Sequence, residues 1–428
     1  MARLAVSLMV AVSFFLASGV RAGTFQAKGD KPASIVFEDE SYDFELRRVL
    51  GMAVAGGSDI NECLETARRI REGDAESWYT HWYALGERIR RLGESSLERG
   101  HEASARESFF RASTYYRNAG FFLVGNPRDP RIRDSWRKSR DVFRKGAKLL
   151  DHPAEVVDIP YEGTTLPGYL LLPDDTGQPR KTVIIQTGFD GTAEELYFEN
   201  ARFALERGWA VLLFEGPGQG GVLREQGLTF RPDWEKVIMP VVDFALGRKE
   251  VAPDKVVLMG ISMGGYLAPR GAAFEPRLAA LVANPGNYDL FGHREPTPEL
   301  WARMRSDRDA ANREMRAAMA KDIGFRWFIE NGMFTTGTKT PLAFMEFYDK
   351  FTMKGLAGSI ACPTLVVAGS GDHFASKKDE ERLYDELKCR KTLLVFDQST
   401  LASGHCQMGA MMLSNQKIFD WLDEMIGE

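Results

Sequence analysis

The most constraining stretch of this chain is residues 256–266, Val-Val-Leu-Met-Gly-Ile-Ser-Met-Gly-Gly-Tyr. Its first four residues are apolar and suit a buried parallel strand. The run ends in Gly260-Ile261-Ser262-Met263-Gly264, the G-x-S-x-G pattern of a nucleophile elbow. A serine forced into a tight strand-to-helix turn takes strained backbone angles and tolerates no bulky neighbours, which accounts for the flanking glycines. Such a turn lifts the Ser262 hydroxyl above the sheet at a helix N-terminus, where the Met263 amide faces any oxyanion that forms. Ordinary turns carry the same five residues. The strand before this one and the helix predicted over 266–273 favour the elbow.

A chain of 428 residues implies two to three domains, or one domain with large insertions. Apolar residues make up 44% of it, enough for a sizeable core, and a formal net charge of −5 excludes a nucleic-acid binder by global electrostatics. The basic run at 128–148 is interrupted by Asp129, Asp134 and Asp141 and reads as a solvated helix face. Residues 1–22 carry Arg3, an apolar run over 4–20 and Val20-Arg21-Ala22, the pattern of a cleaved secretory signal, so a periplasmic or secreted protein is expected. The apolar run is near the short limit for spanning a bilayer, so membrane attachment follows only if the signal stays uncleaved. Cys63, Cys362, Cys389 and Cys406 have no metal-ligand spacing, and neither a metal nor another cofactor is expected. They read as free thiols. A Cys362–Cys389 disulfide is the alternative if the two strands that follow them are neighbours.

Residues 37–150 read as an N-terminal helical domain. Asp59 with Glu62 resembles a capping box, and Asp129-Pro130 places an N-cap before a proline at the first helical position. Helices are predicted over 75–99 and 102–124, separated by Gly100 and dense in aromatic residues, and the following helix buries Ile132, Trp136, Phe143, Ala147 and Leu150. From 151 to 428 the pattern becomes strands alternating with helices. The strands are 156–160 and 168–172 as an antiparallel pair, then 182–186, 210–214, 256–259, 280–283, 364–368 and 392–396. Helices fit at 194–207, 234–246 and 378–387. The expected fold class is α/β, a mostly parallel eight-stranded sheet covered on both faces that matches an α/β-hydrolase core. One long interval, about 286–358, is helical and rich in side chains such as Trp301, Trp327, Phe328, Phe344 and Tyr348. Beyond a strand's C-terminal end such an insertion forms a cap, whose inner side chains would line an apolar pocket over Ser262 for a hydrophobic or aromatic small molecule.

A serine hydroxyl needs a base to take its proton and a carboxylate to orient that base. In this fold the chain order is Ser, acid, His. Asp372 follows the strand at 364–368, and His405 follows the last strand within Ser403-Gly404-His405-Cys406. Among the other histidines, His81 and His101 fall in the helical region, His152 at the junction and His293 in the cap, while His373 adjoins Asp372 too closely to be oriented by it. The second oxyanion donor is expected from Thr187-Gly188-Phe189-Asp190-Gly191-Thr192, with the Phe189 amide the best candidate and Thr192 and Glu195 a capping box. Asp190 reads as structural, with substrate contact as the alternative. The glycine-rich stretch at 215–221 lacks the Lys-Ser/Thr of a P-loop and is not expected to open a helix, so it reads as a shaped turn and not a phosphate site.

Gly188-Phe189-Asp190-Gly191-Thr192, Glu215-Gly216-Pro217-Gly218-Gln219-Gly220, the run at 260–265, and His405-Cys406-Gln407 together resemble the family of 2,6-dihydroxypseudooxynicotine hydrolase and the fungal polyketide-shortening hydrolases of pigment synthesis. The likeness runs from about Phe37 to the C-terminus. It implies a helical domain over an α/β-hydrolase core, a Ser-Asp-His triad and often a homodimer. Members cleave carbon-carbon bonds beside a ketone, and relatives act on esters. Some carry an additional substrate-contacting acid soon after the sixth strand, for which Glu295 is the nearest equivalent here. The export signal departs from the better-known intracellular relatives. The expectation is a serine hydrolase, with an esterase or acyltransferase of other specificity as one alternative and a non-catalytic binding protein on the same fold as another. Such binding proteins usually lose a triad member, and all three are present here.

Overall fold

In a computed structural model, residues 33–291 and 296–427 are described. The secretory signal expected at 1–22 lies outside them, as do His293 and Glu295.

Five helices open the described chain: α1 (Glu40–Gly51), α2 (Ile60–Ala67), α3 (Ala75–Glu98), α4 (Glu102–Ala119) and α5 (Pro130–Ala147). The helix expected to run to Val124 stops at Ala119 with Gly120 as its cap, and the chain continues as a 3-10 turn, Phe121–Gly125. Helices α3 and α4 approach closely because glycines of one meet aromatic rings of the other. A Cβ on Gly86 would lie 2.9 Å from the Tyr116 ring, and one on Gly93 2.8 Å from Phe109. Trp78, Trp82, Tyr115 and Tyr116 are fully buried there. Asp129 caps α5 by accepting from the Arg131 amide, as its sequence implied. Asp59 likewise caps α2, but the Glu62 carboxylate accepts from Tyr115 at 2.6 Å and Arg111 at 3.2 Å, so that box is half formed.

The sheet has eight strands: β1 (Glu155–Tyr161), β2 (Thr164–Leu171), β3 (Arg180–Gln186), β4 (Ala210–Phe214), β5 (Val251–Ile261), β6 (Ala280–Asn284), β7 (Thr364–Gly369) and β8 (Lys391–Phe396). Their order is β1-β2-β4-β3-β5-β6-β7-β8, with β2 antiparallel to both neighbours and every other pair parallel. Fully apolar strands such as β4 (AVLLF) can occupy only the centre of a sheet covered on both faces, and all five of its residues are buried. β5 sits between β3 and β6, with Met259 opposite Ile185 and Val282, so the residue after its end projects from mid-sheet.

The helix expected over 194–207 is three pieces, α6 (Ala193–Leu196), a π turn (Tyr197–Ala201) and α7 (Arg202–Leu205). Its cause is a side chain inserted in the hydrogen-bond ladder: Asn415 Nδ2 donates to the Glu199 carbonyl at 2.8 Å. The glycine-rich stretch does open a helix, contrary to expectation, namely α8 (Gly220–Gln226). The chain's own Glu215 carboxylate makes this feasible by accepting from the amides of Gly221 at 2.6 Å and Ala193 at 3.1 Å. The helical layers continue with α9 (Glu235–Leu246) and α10 (Gly264–Ala272). Between β6 and β7 run α11 (Pro298–Ser306), α12 (Arg308–Met319), α13 (Ile323–Thr336) and α14 (Pro341–Tyr348), and α15 (Lys377–Glu386) and α16 (Met411–Ile426) complete the chain. Among the described residues, no helix is long and apolar enough to cross a membrane. Cys362 and Cys389 are both free thiols, so the disulfide alternative is overturned: Cys389 Sγ instead lies 3.6 Å from Thr364 Oγ1.

Candidate active site

β5 delivers Ser262 into a turn where its φ is +61°, a left-handed conformation rare for a non-glycine residue. Two glycines make the turn feasible. A Cβ on Gly260 would lie 1.9 Å from the Gly264 carbonyl oxygen, and one on Gly265 1.7 Å from that of Pro285. The Ser262 amide donates to the Asn284 carbonyl at 2.7 Å, and Asn287 Nδ2 donates to the Ser262 carbonyl at 3.1 Å. Ser262 is half-buried at the start of α10.

The three side chains read as a triad meet here. His405 Nε2 lies 2.9 Å from Ser262 Oγ, and His405 Nδ1 lies 2.7 Å from Asp372 Oδ2. Asp372 Oδ1 accepts from the amides of Phe374 at 2.7 Å and Ala375 at 2.9 Å, which fixes the carboxylate's plane. His405 is followed by Cys406 and Gln407 at φ +49° and +53°, so backbone strain gathers on both sides of the Ser262–His405 contact. Cys406 Sγ donates to the same Asn284 carbonyl that the Ser262 amide uses, at 3.5 Å.

The electrostatics suit a base poised by an acid. Burial opposes a charged imidazole, but the Asp372 charge outweighs it and holds the His405 pKa well above the ordinary histidine value. Burial also opposes the Asp372 anion, and His405 with the Ala375 amide brings its pKa below the usual carboxylate value. Behind them Glu380 of α15 is fully buried, and burial together with the nearby Asp372 charge pushes its pKa well above the ordinary value. Among the described residues, no group of three or more His, Cys, Asp or Glu side chains gathers where it could hold a metal.

The loop after β3 lies against the elbow: a Cβ on Gly188 would be 2.5 Å from the Met263 amide nitrogen and 3.0 Å from Ser262 Cβ. Among the described residues, neither the Phe189 nor the Met263 amide has a hydrogen-bond acceptor. Residues 187–420 match the model of the alpha/beta hydrolase family, and the strand order and elbow agree with it. This chain belongs to the alpha/beta hydrolase family. It is similar to the hydrolase LUC6 of a Fusarium species, 37% identical over 414 residues, which are 92% of this chain and 98% of that protein. It is also similar to the 20-hydroxy-prefusarin hydrolase FUS2 of Gibberella moniliformis, 35% identical over 415 residues covering 91% of this chain and 97% of the relative. The crystal structure of 2,6-dihydroxy-pseudo-oxynicotine hydrolase shares the fold, with a TM-score of 0.71 at 23% identity over 88% of this chain and 95% of that one.

In this hydrolase several groups close to the site have no signal in local sequence. The Asp190 carboxylate is held by Arg48 and Arg117, each at 2.7 Å, so its partners support the structural reading over substrate contact. Those arginines belong to α1 and α4 and also pair with Glu195 at 2.7 and 3.3 Å. Glu195 therefore does not reach back to Thr192, and that expected box keeps only its Thr192 half. Burial and the nearby Glu195 push Glu199 in the same cluster up to about 8. Phe44 of α1 puts its ring 5.9 Å from that of His405, and Phe374 lies 4.8 Å away. From α13 and α14, Trp327, Phe328, Phe344 and Tyr348 surround the Phe189 ring at centroid distances of 5.8 to 6.3 Å. A cavity of about 30 Å³ at the junction of the helices and the sheet is lined by Asp190 together with Arg117, Trp136, Arg224 and Asn331 and includes no triad member.

Proposed function

We propose that this enzyme is a serine hydrolase cleaving a carbon-carbon bond beside a ketone, or an ester, in a hydrophobic or aromatic substrate. The observation that carries the reading is the continuous relay from Ser262 Oγ through His405 to Asp372 at 2.9 and 2.7 Å. Ser262 Oγ attacks the substrate carbonyl while His405 Nε2 takes its proton, and Asp372 stabilises the imidazolium that results. The oxyanion receives the Phe189 and Met263 amides. Collapse of the tetrahedral adduct expels a carbanion or an alkoxide, which takes the proton back from His405, and water then releases the acyl group by the same steps in reverse. A carbanion leaves only if a ring or enol delocalises its charge, and the resemblance to the polyketide-shortening hydrolases supports this arm. The aromatic rings of α13 and α14 about Phe189 support an apolar substrate.

Ser262→Ala tests the reading. Covalent labelling by an organophosphonate disappears and turnover falls by about 10⁴-fold or more, with the circular dichroism spectrum retained. Labelling that persists in the variant refutes it. Screening aryl esters against β-diketones and acylphenols decides between the two bond types. The pattern in residues 1–22 supports an exported enzyme, and N-terminal sequencing of the mature protein beginning after Ala22 is the expected outcome.

A further inference from the structure

The glycine-rich stretch at 215–221 places one buried amide against the loop after β3. Gln219 is 2% exposed, and its Nε2 donates to the Thr187 carbonyl at 2.9 Å and the Gly188 carbonyl at 3.1 Å. Its Oε1 accepts from the Gly216 amide at 2.9 Å. Because the Gly216 N–H must face an acceptor, the amide group is fixed in one orientation, with both its N–H bonds aimed at the loop.

Those two contacts have a directional consequence. The Gly188 carbonyl and the Phe189 N–H belong to one planar trans peptide and point in opposite directions. Holding the carbonyl toward Gln219 therefore aims the N–H away from it. Gly188 on its other side is pressed against the elbow, where a side chain would meet the Met263 nitrogen at 2.5 Å. The segment from Thr187 to Gly191 lies outside helix and strand, and glycines at 188 and 191 leave its peptides free to rotate unless something holds them. Asn331 Nδ2 of α13 holds the next carbonyl, that of Phe189, at 3.2 Å, and Arg48 and Arg117 hold Asp190. Among the described residues, only Gln219 hydrogen-bonds to the peptide that carries the Phe189 N–H.

We propose that Gln219 is the positioning residue of the oxyanion hole, acting through the 188–189 peptide. The proposal rests on the reading of Ser262 as nucleophile and Phe189 as oxyanion donor. Gln219 touches neither substrate nor reacting atoms. It keeps one N–H aligned before the charge develops, so that no reorganisation is needed as the tetrahedral adduct forms.

Two variants test it. Gln219→Met keeps the length of the side chain and removes its donor. Gln219→Glu keeps an acceptor for the Gly216 N–H and offers the two carbonyls one O–H donor when protonated and none when ionised, in place of two N–H donors. The readouts are the rate of Ser262 phosphonylation by a p-nitrophenyl phosphonate, kcat and KM for a p-nitrophenyl ester, and affinity for an aryl trifluoromethyl ketone, which binds as a tetrahedral adduct. Sites are counted by phosphonate titration so that only competent enzyme is compared. In both variants kcat, the phosphonylation rate and trifluoromethyl ketone affinity are expected to fall together by about 10- to 100-fold, with KM within twofold of wild type and the acid limb of the pH profile unmoved. Rates and ketone affinity within twofold of wild type overturn the proposal, as does a loss seen equally in KM and ketone affinity. Failure of both variants to yield folded protein assigns Gln219 to the fold alone and overturns it too. Ser262→Ala is run in parallel: labelling that survives there removes the serine reading itself, whereas lost labelling with wild-type behaviour at position 219 removes only this proposal.

Discussion

Replacing Arg117 with methionine isolates the energetic role of the junction between the N-terminal helices and the sheet. Arg117 is 7% exposed and faces Glu45 at 3.0 Å, Asp190 at 2.7 Å and Glu195 at 3.3 Å, carboxylates that are themselves 3%, 15% and 4% exposed. At these separations and an effective dielectric constant near 20, each attraction is about 5 kcal/mol before desolvation. Methionine fills much of the volume but leaves three acids sharing Arg48 alone. Breaking a buried pair from one side costs about 3–5 kcal/mol, because the remaining charges keep their desolvation penalty, and that is the loss expected at pH 7.5. The pH dependence has a definite sign. Burial already raises the Glu45 pKa against the pull of Arg48 and Arg117, and removing one cation raises it further. A carboxyl whose folded pKa exceeds its unfolded value of roughly 4.3 destabilises the fold above that value, and the cost is relieved as pH falls through the folded pKa. The Arg117→Met penalty is therefore larger at pH 8 than at pH 5.5. Urea unfolding followed by the fluorescence of buried Trp78, Trp82, Trp209 and Trp234 measures both. A loss below about 1 kcal/mol at pH 7.5, or one that does not change between the two pH values, refutes the reasoning.

Asp372→Asn removes the charge that raises the His405 pKa, so the acid limb of kcat/KM moves to lower pH while the rate itself falls by about 10⁴-fold; an unmoved limb in a pH-rate profile counts against the assignment of His405 as base. Gly265→Ala places a methyl group 1.7 Å from the Pro285 carbonyl oxygen, and loss of phosphonate labelling together with a lowered Tm is expected; normal labelling refutes the close approach. Native alkylation reaches the half-buried Cys389 before Cys63, Cys362 and Cys406, which are buried, and mass spectrometry of the denatured protein finds four alkylated thiols with or without reductant. A mass that depends on reductant contradicts the free state of Cys362 and Cys389.

The legible parts of this molecule are those written in consecutive residues. The strand at 210–214 ends where the sequence says it ends because an unbroken apolar run has no other place to go. Ser262, Asp372 and His405 were legible because a glycine-flanked serine and two strand-end loops in a fixed order define their places before any contact is known. The helix expected at 194–207 is present, but its π turn has no local signal because Asn415, which bonds to the Glu199 carbonyl there, is over two hundred positions away. The glycine-rich stretch was misjudged because Glu215 caps a helix from inside the same loop, a carboxylate taking the place of an external anion. Arg48, Arg117 and Asn331 gave no signal because each acts on the loop at 187–190 from another layer of the fold. Gln219 was in plain view within its motif, but a lone glutamine there has no direction until the Gly188 carbonyl is placed beside it.

The junction charges are divided unevenly: Arg48, Arg117 and Glu45 come from the helices before residue 150, while Asp190, Glu195 and Glu199 come from the sheet half. Each half carries buried charges whose partners lie in the other. A recombinant that grafts the sheet half of this chain onto the helices of a distant homologue inherits acids whose counter-ions stay behind, at the loop beside Ser262. The practical unit for swapping or shuffling is therefore the pair of halves, or a graft that carries both arginines across with the core.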